Sequence, residues 1–104
     1  MLKKEGVDLL NKFSKYRIFE TNQFLKDIDK NLGQHKLRIE TKLKIYIYPQ
    51  LKENPFFGKN IKKLKSYNPD TWRYRVGDYR FFYIIDDIEK VVFMISAEHR
   101  RSAY

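Results

Sequence analysis

Arginines alternate with aromatic and aliphatic residues in Trp72-Arg73-Tyr74-Arg75-Val76, and a second run, Tyr79-Arg80-Phe81-Phe82-Tyr83, follows after only Gly77 and Asp78. Successive side chains of a strand point to opposite faces, so Trp72, Tyr74 and Val76 share one face and Arg73 and Arg75 the other. If Gly77-Asp78 is a two-residue hairpin turn, Val76 faces Tyr79 and Arg75 lies directly opposite Arg80. Like charges so placed destabilise a sheet by up to about 1 kcal/mol, and an anion between them would remove that cost. The pattern predicts a phosphate clamp; a longer turn with the arginines splayed into solvent is the plainer alternative.

The chain ends on a second constellation, Glu98-His99-Arg100-Arg101-Ser102-Ala103-Tyr104. Histidine alone has an unperturbed pKa near neutrality, so it can both donate and accept a proton at physiological pH. Arginine cannot, but it holds phosphate bidentately and stabilises charge on a pentacoordinate phosphorus. Tyrosine can stack on a base or hydrogen-bond a phosphate. Taken by itself such a tail also describes a frayed basic chain end. What favours a site is that it follows a sheet whose face already carries Arg73, Arg75 and Arg80.

The elements that would position these groups read as α+β. Residues 1–15 are a polar segment with a weak amphipathic signal at Val7, Leu10 and Phe13. Tyr16 to Glu20 reads as a short strand, and Thr21 or Asn22 as the N-cap of a helix carrying Phe24, Leu25, Ile28 and Leu32 at helical spacing and ending at Gly33. A second helix is expected from about Lys36, with Ile39, Leu43, Tyr46 and Ile47 on one face. Leu43, Ile45 and Ile47 alternate as a strand would, and the end or a kink is placed near Pro49. After the Asn54, Pro55 and Gly58 loop come four short strands, Ile61 to Ser66, Trp72 to Val76, Tyr79 to Ile85 and Val91 to Ala97, joined by turns short enough to make an antiparallel meander. The expected architecture is a helical hairpin packed on one face of a small, mainly antiparallel β-sheet.

Composition bounds the rest. The 104 residues fit one domain, 1–104, large enough for a core without covalent staples. The absence of cysteine removes disulfides, thiolate metal sites and cysteine nucleophiles. No apolar run approaches the ~20 residues that span a bilayer, and the charged N-terminus breaks up any signal-peptide core, so a cytoplasmic protein without membrane partners is expected. Lys and Arg number 22 against 13 Asp and Glu, a net charge of +9. Residues 59–80 alone hold seven basic and two acidic residues, net +5, the same surplus as residues 1–58 spread over more than twice the length. Such a surplus favours a polyanion, because each neutralised phosphate releases counterions; nucleic acid leads, ahead of an acidic protein or anionic membrane. Asp86, Asp87 and Glu89 read as turn residues rather than a metal site, and His35 has no second ligand nearby, so neither metal nor cofactor is expected. Trp72, Phe81, Phe82, Tyr83 and Phe93 read as core rather than stacking platforms.

The run from Trp72 to Tyr83, an acidic turn, a β-rich strand and then His99-Arg100-Arg101-Ser102-Ala103-Tyr104 resembles the RelE/ParE toxin superfamily, and within it the RelE-like mRNA interferase branch. That branch carries a Tyr-Arg-x-Arg-x-Gly-x-Tyr-Arg hairpin and a terminal His-Arg-x-x-x-Tyr, and the similarity covers about residues 16–104, leaving 1–15 as an N-terminal extension. The resemblance implies the RelE-like fold. It further implies a type II toxin–antitoxin toxin that cleaves mRNA in the ribosomal A site by metal-independent 2′-hydroxyl attack and is held inactive by a cognate antitoxin.

Carried over residue by residue, Arg73 and Arg75 match basic residues that contact RNA or take part in proton transfer. Arg80 and Arg100 match the phosphate-stabilising arginines, and Tyr104 the terminal tyrosine that stacks on or orients substrate. His99 is the candidate general acid or base. Lys59, Lys62, Lys63, Lys65 and Arg101 would add RNA or ribosomal RNA contacts, although a lysine-rich edge strand also serves simply to discourage aggregation. Glu98 stands where the family usually has a small residue, and could orient His99 or repel RNA. Two alternatives remain: a ParE-like toxin that binds and poisons DNA gyrase, and a non-catalytic RNA- or ribosome-binding homologue.

Overall fold

Thr21 sets the start of the helical layer. In the computed structural model, which describes residues 15–100, its hydroxyl accepts from the Phe24 N–H at 3.2 Å and donates to the Met94 carbonyl at 2.8 Å. One side chain therefore caps helix α1 (Asn22–Leu32) and ties it to the sheet. Thr21→Ala is expected to cost about 1 kcal/mol, the usual value of an N-cap, measured by urea unfolding. Gly33, at φ +49, ends the helix in a conformation that glycine adopts readily.

A 3₁₀ turn (Gly33–His35) leads to α2 (Lys36–Lys42), a π-helical turn (Leu43–Ile47) and α3 (Tyr48–Glu53). Leu43 and Ile47 are buried while Ile45 is 73% exposed, which resolves the strand-like alternation in favour of helix. Pro49 does not end the helix. It sits in the first turn of α3, where its missing N–H costs little, and the π turn just before it, with the Tyr48 N–H donating to the Leu43 carbonyl, absorbs the irregularity. The helical layer is thus a helix followed by a second, interrupted one, in place of the plain helical hairpin with an end or kink near Pro49 expected from sequence.

The sheet has five strands: β1 (Arg17–Glu20), β2 (Ile61–Lys63), β3 (Trp72–Val76), β4 (Tyr79–Asp86) and β5 (Val91–His99), in the order β1-β5-β4-β3-β2. The last four form the antiparallel meander. β1 instead pairs parallel with β5, so the sheet is mixed. No short turn dictates its direction, because the whole helical layer and three strands separate it from its partner. β2 stops at Lys63, three residues short of the expected Ser66, because Ser66 at φ +64 turns the chain away after a last bond from the Leu64 N–H to the Thr71 carbonyl.

One face of the sheet presents Tyr74, Phe81, Tyr83, Val92, Met94 and Ala97 to the helical residues Phe24, Ile28, Ile39, Leu43, Ile47 and Leu51, all of them buried. Buried tyrosines keep partners: Tyr83 donates to the Pro55 carbonyl at 2.7 Å and Tyr48 to Glu20 at 2.7 Å. Burial pushes both phenols above their ordinary range, so they act as fixed donors. The other face is left to the alternate residues of each strand.

Candidate functional site

The β3–β4 connection is the two-residue turn Gly77-Asp78, and its register sets Val76 opposite Tyr79 and Arg75 opposite Arg80. Gly77 takes φ +55, the positive value a tight hairpin needs at its first turn residue. Arg73, two residues before Arg75, lies opposite Phe82. Arg73, Arg75 and Arg80 thus project from the sheet face that the helices leave open. Arg100 follows β5 and is drawn to the turn by its N–H, which donates to the Asp78 carbonyl at 2.7 Å.

These four arginines, with Gly77 and Asp78, line a cavity of about 230 Å³. Among the described residues one ion pair meets them. Arg80 Nη2 lies 3.2 Å from Glu98 Oε1, its cross-strand partner, and both side chains are partly exposed. Arg75 Nε is 3.4 Å from the Gly77 carbonyl oxygen. The Nε atoms of Arg73 and Arg80 are shielded from solvent and have no acceptor among the described residues. An unmatched buried donor of this kind costs about 1–3 kcal/mol, a penalty that an anion in the cavity would relieve. The arrangement suits an oxyanion with several acceptor oxygens, because a guanidinium offers its donors as a planar fork.

His99 is not part of this cluster. β5 extends to His99, two residues beyond the expected end, so alternation continues: Glu98 turns toward Arg80, and His99 turns to the opposite face against the Tyr79 ring, centroids 4.6 Å apart. The carboxylate of Glu98 therefore does not orient His99. The lysines divide as well. Lys62 lies opposite Arg73 and, with Lys59, lines an adjoining cavity of about 520 Å³ that shares Arg73, Arg75 and Gly77 with the first. Lys63 is 3.3 Å from Asp70 and lies over the Trp72 ring, while Lys65 sits exposed beyond the strand. Arg101 and Tyr104, like residues 1–14, lie outside the described residues. Sequence reasoning missed the place of Glu98 beside Arg80 and of Asp78 in the cavity wall. Carrying the β5 alternation two residues further would have revealed the first. Among the described residues no group of three or more His, Asp or Glu is placed to hold a metal ion, and no helix is long and apolar enough to cross a membrane.

The fold has counterparts among known proteins. The description "ParE toxin of type II toxin-antitoxin system, parDE" matches residues 20–104. Among solved structures, a chain of the toxin–antitoxin complex RelBE2 from Mycobacterium tuberculosis is 26% identical, with a TM-score of 0.65 over 83% of this chain and 99% of that one. A chain of the archaeal RelE–RelB complex from Pyrococcus horikoshii OT3 is 25% identical, with a TM-score of 0.59 over 83% of this chain and 96% of that one. A chain of the intact Escherichia coli RelBE toxin–antitoxin complex is 26% identical, with a TM-score of 0.58 over 81% and 95%. No curated protein matches the chain in sequence. With the family match spanning four-fifths of its length, the chain belongs to the ParE toxin family, within the RelE/ParE superfamily of type II toxin–antitoxin toxins.

Proposed function

We propose that this toxin is a ribosome-dependent mRNA endonuclease. The observation that carries the reading is the convergence of Arg73, Arg75, Arg80 and Arg100 on one cavity, two of them with Nε donors that nothing among the described residues satisfies. Attack of a ribose 2′-hydroxyl on the adjacent phosphorus forms the new P–O bond, breaks the bond to the 5′-oxygen, and passes through a phosphorane whose extra negative charge four guanidinium groups can hold. The 2′-proton must leave to an acceptor and the 5′-oxygen must gain one. An acidic antitoxin is the partner expected to mask this surface, since several relatives of known structure are parts of toxin–antitoxin complexes. A cytoplasmic location belongs to the same reading.

Primer extension on mRNA incubated with the protein, with and without programmed ribosomes, tests it. Discrete cuts in the A-site codon that require ribosomes support the nuclease; no cuts from folded protein under either condition end it. The position of His99 adds a second prediction. His99→Gln is expected to slow cleavage less than about fivefold, whereas a direct general acid or base is worth about 10²–10⁴. A hundredfold loss in single-turnover cleavage would restore His99 to the reacting centre.

A second reading is binding and poisoning of DNA gyrase. Two observations favour it: the matching family is that of ParE toxins, and the only histidine near the arginines faces away from them. Gyrase-linked DNA breaks on expression, with translation initially intact, would establish it in place of the nuclease.

A further inference from the structure

The side of the Gly77-Asp78 turn away from the arginine cavity carries a second basic depression. It has a volume of about 560 Å³ and is lined by His35, Arg38 and Lys42 from the helical layer and by Asp78, Tyr79 and His99 from the sheet. Arg38 and Lys42 are four residues apart on α2, so they rise from the same side of the helix. Arg38 Nη2 lies 3.4 Å from His35 Nδ1, and Lys42 Nζ lies 5.8 Å from the Tyr46 ring centroid. Neither cation joins an ion pair among the described residues. Among the described residues Asp78 is the one carboxylate in the wall, so two fixed positive charges face one negative charge there. The imidazole of His99, held against Tyr79, adds a hydrogen-bonding group at a set position.

Gly77 and Asp78 form a wall common to this groove and to the arginine cavity. At Gly77 the crossing is open: a Cβ built there would meet nothing within 4 Å. A flexible polyanion lying along the arginines can pass over the turn at a point with no side chain and descend into the groove. A duplex cannot follow a path that bends around a two-residue turn, because its stiffness persists over about 150 base pairs; a single strand can.

We propose that the groove of His35, Arg38, Lys42 and His99 is a second phosphodiester site, which holds the RNA strand on the far side of the hairpin turn from the arginine cavity. The proposal rests on RNA being the ligand of that cavity. It assigns His99 to holding substrate, and it gives Arg38 and Lys42, which lie outside the arginine cluster, a part in affinity.

The test is fluorescence anisotropy of a labelled single-stranded RNA of about 12 nucleotides titrated with the full chain at 50 and 200 mM salt. Loss of two phosphate contacts in Arg38→Ala Lys42→Ala is expected to weaken binding and to reduce the slope of log K against log salt by about 1.4, at about 0.7 per contact on a single strand. Arg38→Gln Lys42→Gln, which keeps the helical stems and removes only charge, should give the same change and so separates charge from folding. An affinity and slope equal to wild type overturn the proposal, as does failure of the wild-type protein to bind the RNA. Loss of polyglutamate binding with an unaltered RNA slope would make the groove a protein-docking surface, and overturns it too. Ribosome-dependent cleavage is read separately by primer extension. A groove variant with unchanged RNA binding and intact cleavage sinks the groove alone, whereas absent cleavage by wild type sinks the nuclease.

Discussion

Arg80→Ala and Arg100→Ala are each expected to slow ribosome-dependent cleavage about a hundredfold, a loss of ~3 kcal/mol in transition-state stabilisation, by analogy with removing one oxyanion donor. Both residues line the arginine cavity, and the Arg80 Nε has no acceptor among the described residues, so its binding capacity is held ready for an anion. The Arg80–Glu98 pair does not alter this expectation through the fold. Both partners are partly exposed, at 33% and 45% of side-chain surface, and such pairs contribute about 0–1 kcal/mol. Arg80→Ala should therefore unfold near the wild-type urea midpoint while losing activity. The double variant should lose less than the sum of the single losses if both guanidinium groups bind the same phosphoryl oxygens. Arg80→Lys offers a sharper reading: it keeps charge but loses the planar fork, so rescue to near wild-type rates would mean that charge alone matters. The measurement is the single-turnover rate at one A-site codon by primer extension. Wild-type rates in both single alanine variants would remove the arginine cavity from the reaction.

The hairpin was legible in the sequence because its information is local. Alternation in Trp72 to Val76, a Gly-Asp turn and a register fixed by that turn were enough to place Arg75 opposite Arg80. The N-cap at Thr21 and the stop at Gly33 were local in the same way. What could not be read depends on contacts between distant segments. The parallel pairing of β1 with β5 joins residues more than seventy apart and has no connecting turn to announce it. The π turn reflects a compromise between Pro49 and the buried positions Leu43 and Ile47, which periodicity shows only as an ambiguity. His99 was misplaced relative to the arginines for a different reason. Treated as part of a tail it was free to join them; as the last residue of β5 it is bound by alternation to the face opposite Glu98. A difference of two residues in a strand end decided which side of the sheet the histidine serves.

That coupling between faces makes the core beneath the site a second point of attack. Phe81→Ala is expected to destabilise the fold by about 3–5 kcal/mol, because it removes a fully buried ring whose place the surrounding structure can refill only in part. Phe81 lies between Tyr74 on β3 and Ala97 on β5, and its ring meets that of Phe24 on α1 at 6.3 Å. It therefore joins the sheet to the helical layer at the level of the site, and its neighbours in sequence, Arg80 and Phe82, belong to the other face. Domains of this size have about 5–15 kcal/mol in all, so the variant should lose roughly a fifth or more of its stability. Urea unfolding followed by tryptophan fluorescence measures it, with Trp72 as the single reporter. Phe81→Leu, which keeps much of the volume, should cost clearly less. A loss below 1 kcal/mol in Phe81→Ala would show that the helices do not depend on this ring for their seat on the sheet. If instead the expected loss is found and the variant still cleaves at low temperature, the arginines are positioned by the register of the hairpin alone. If cleavage fails while the protein remains folded, their placement also requires the packed face beneath them.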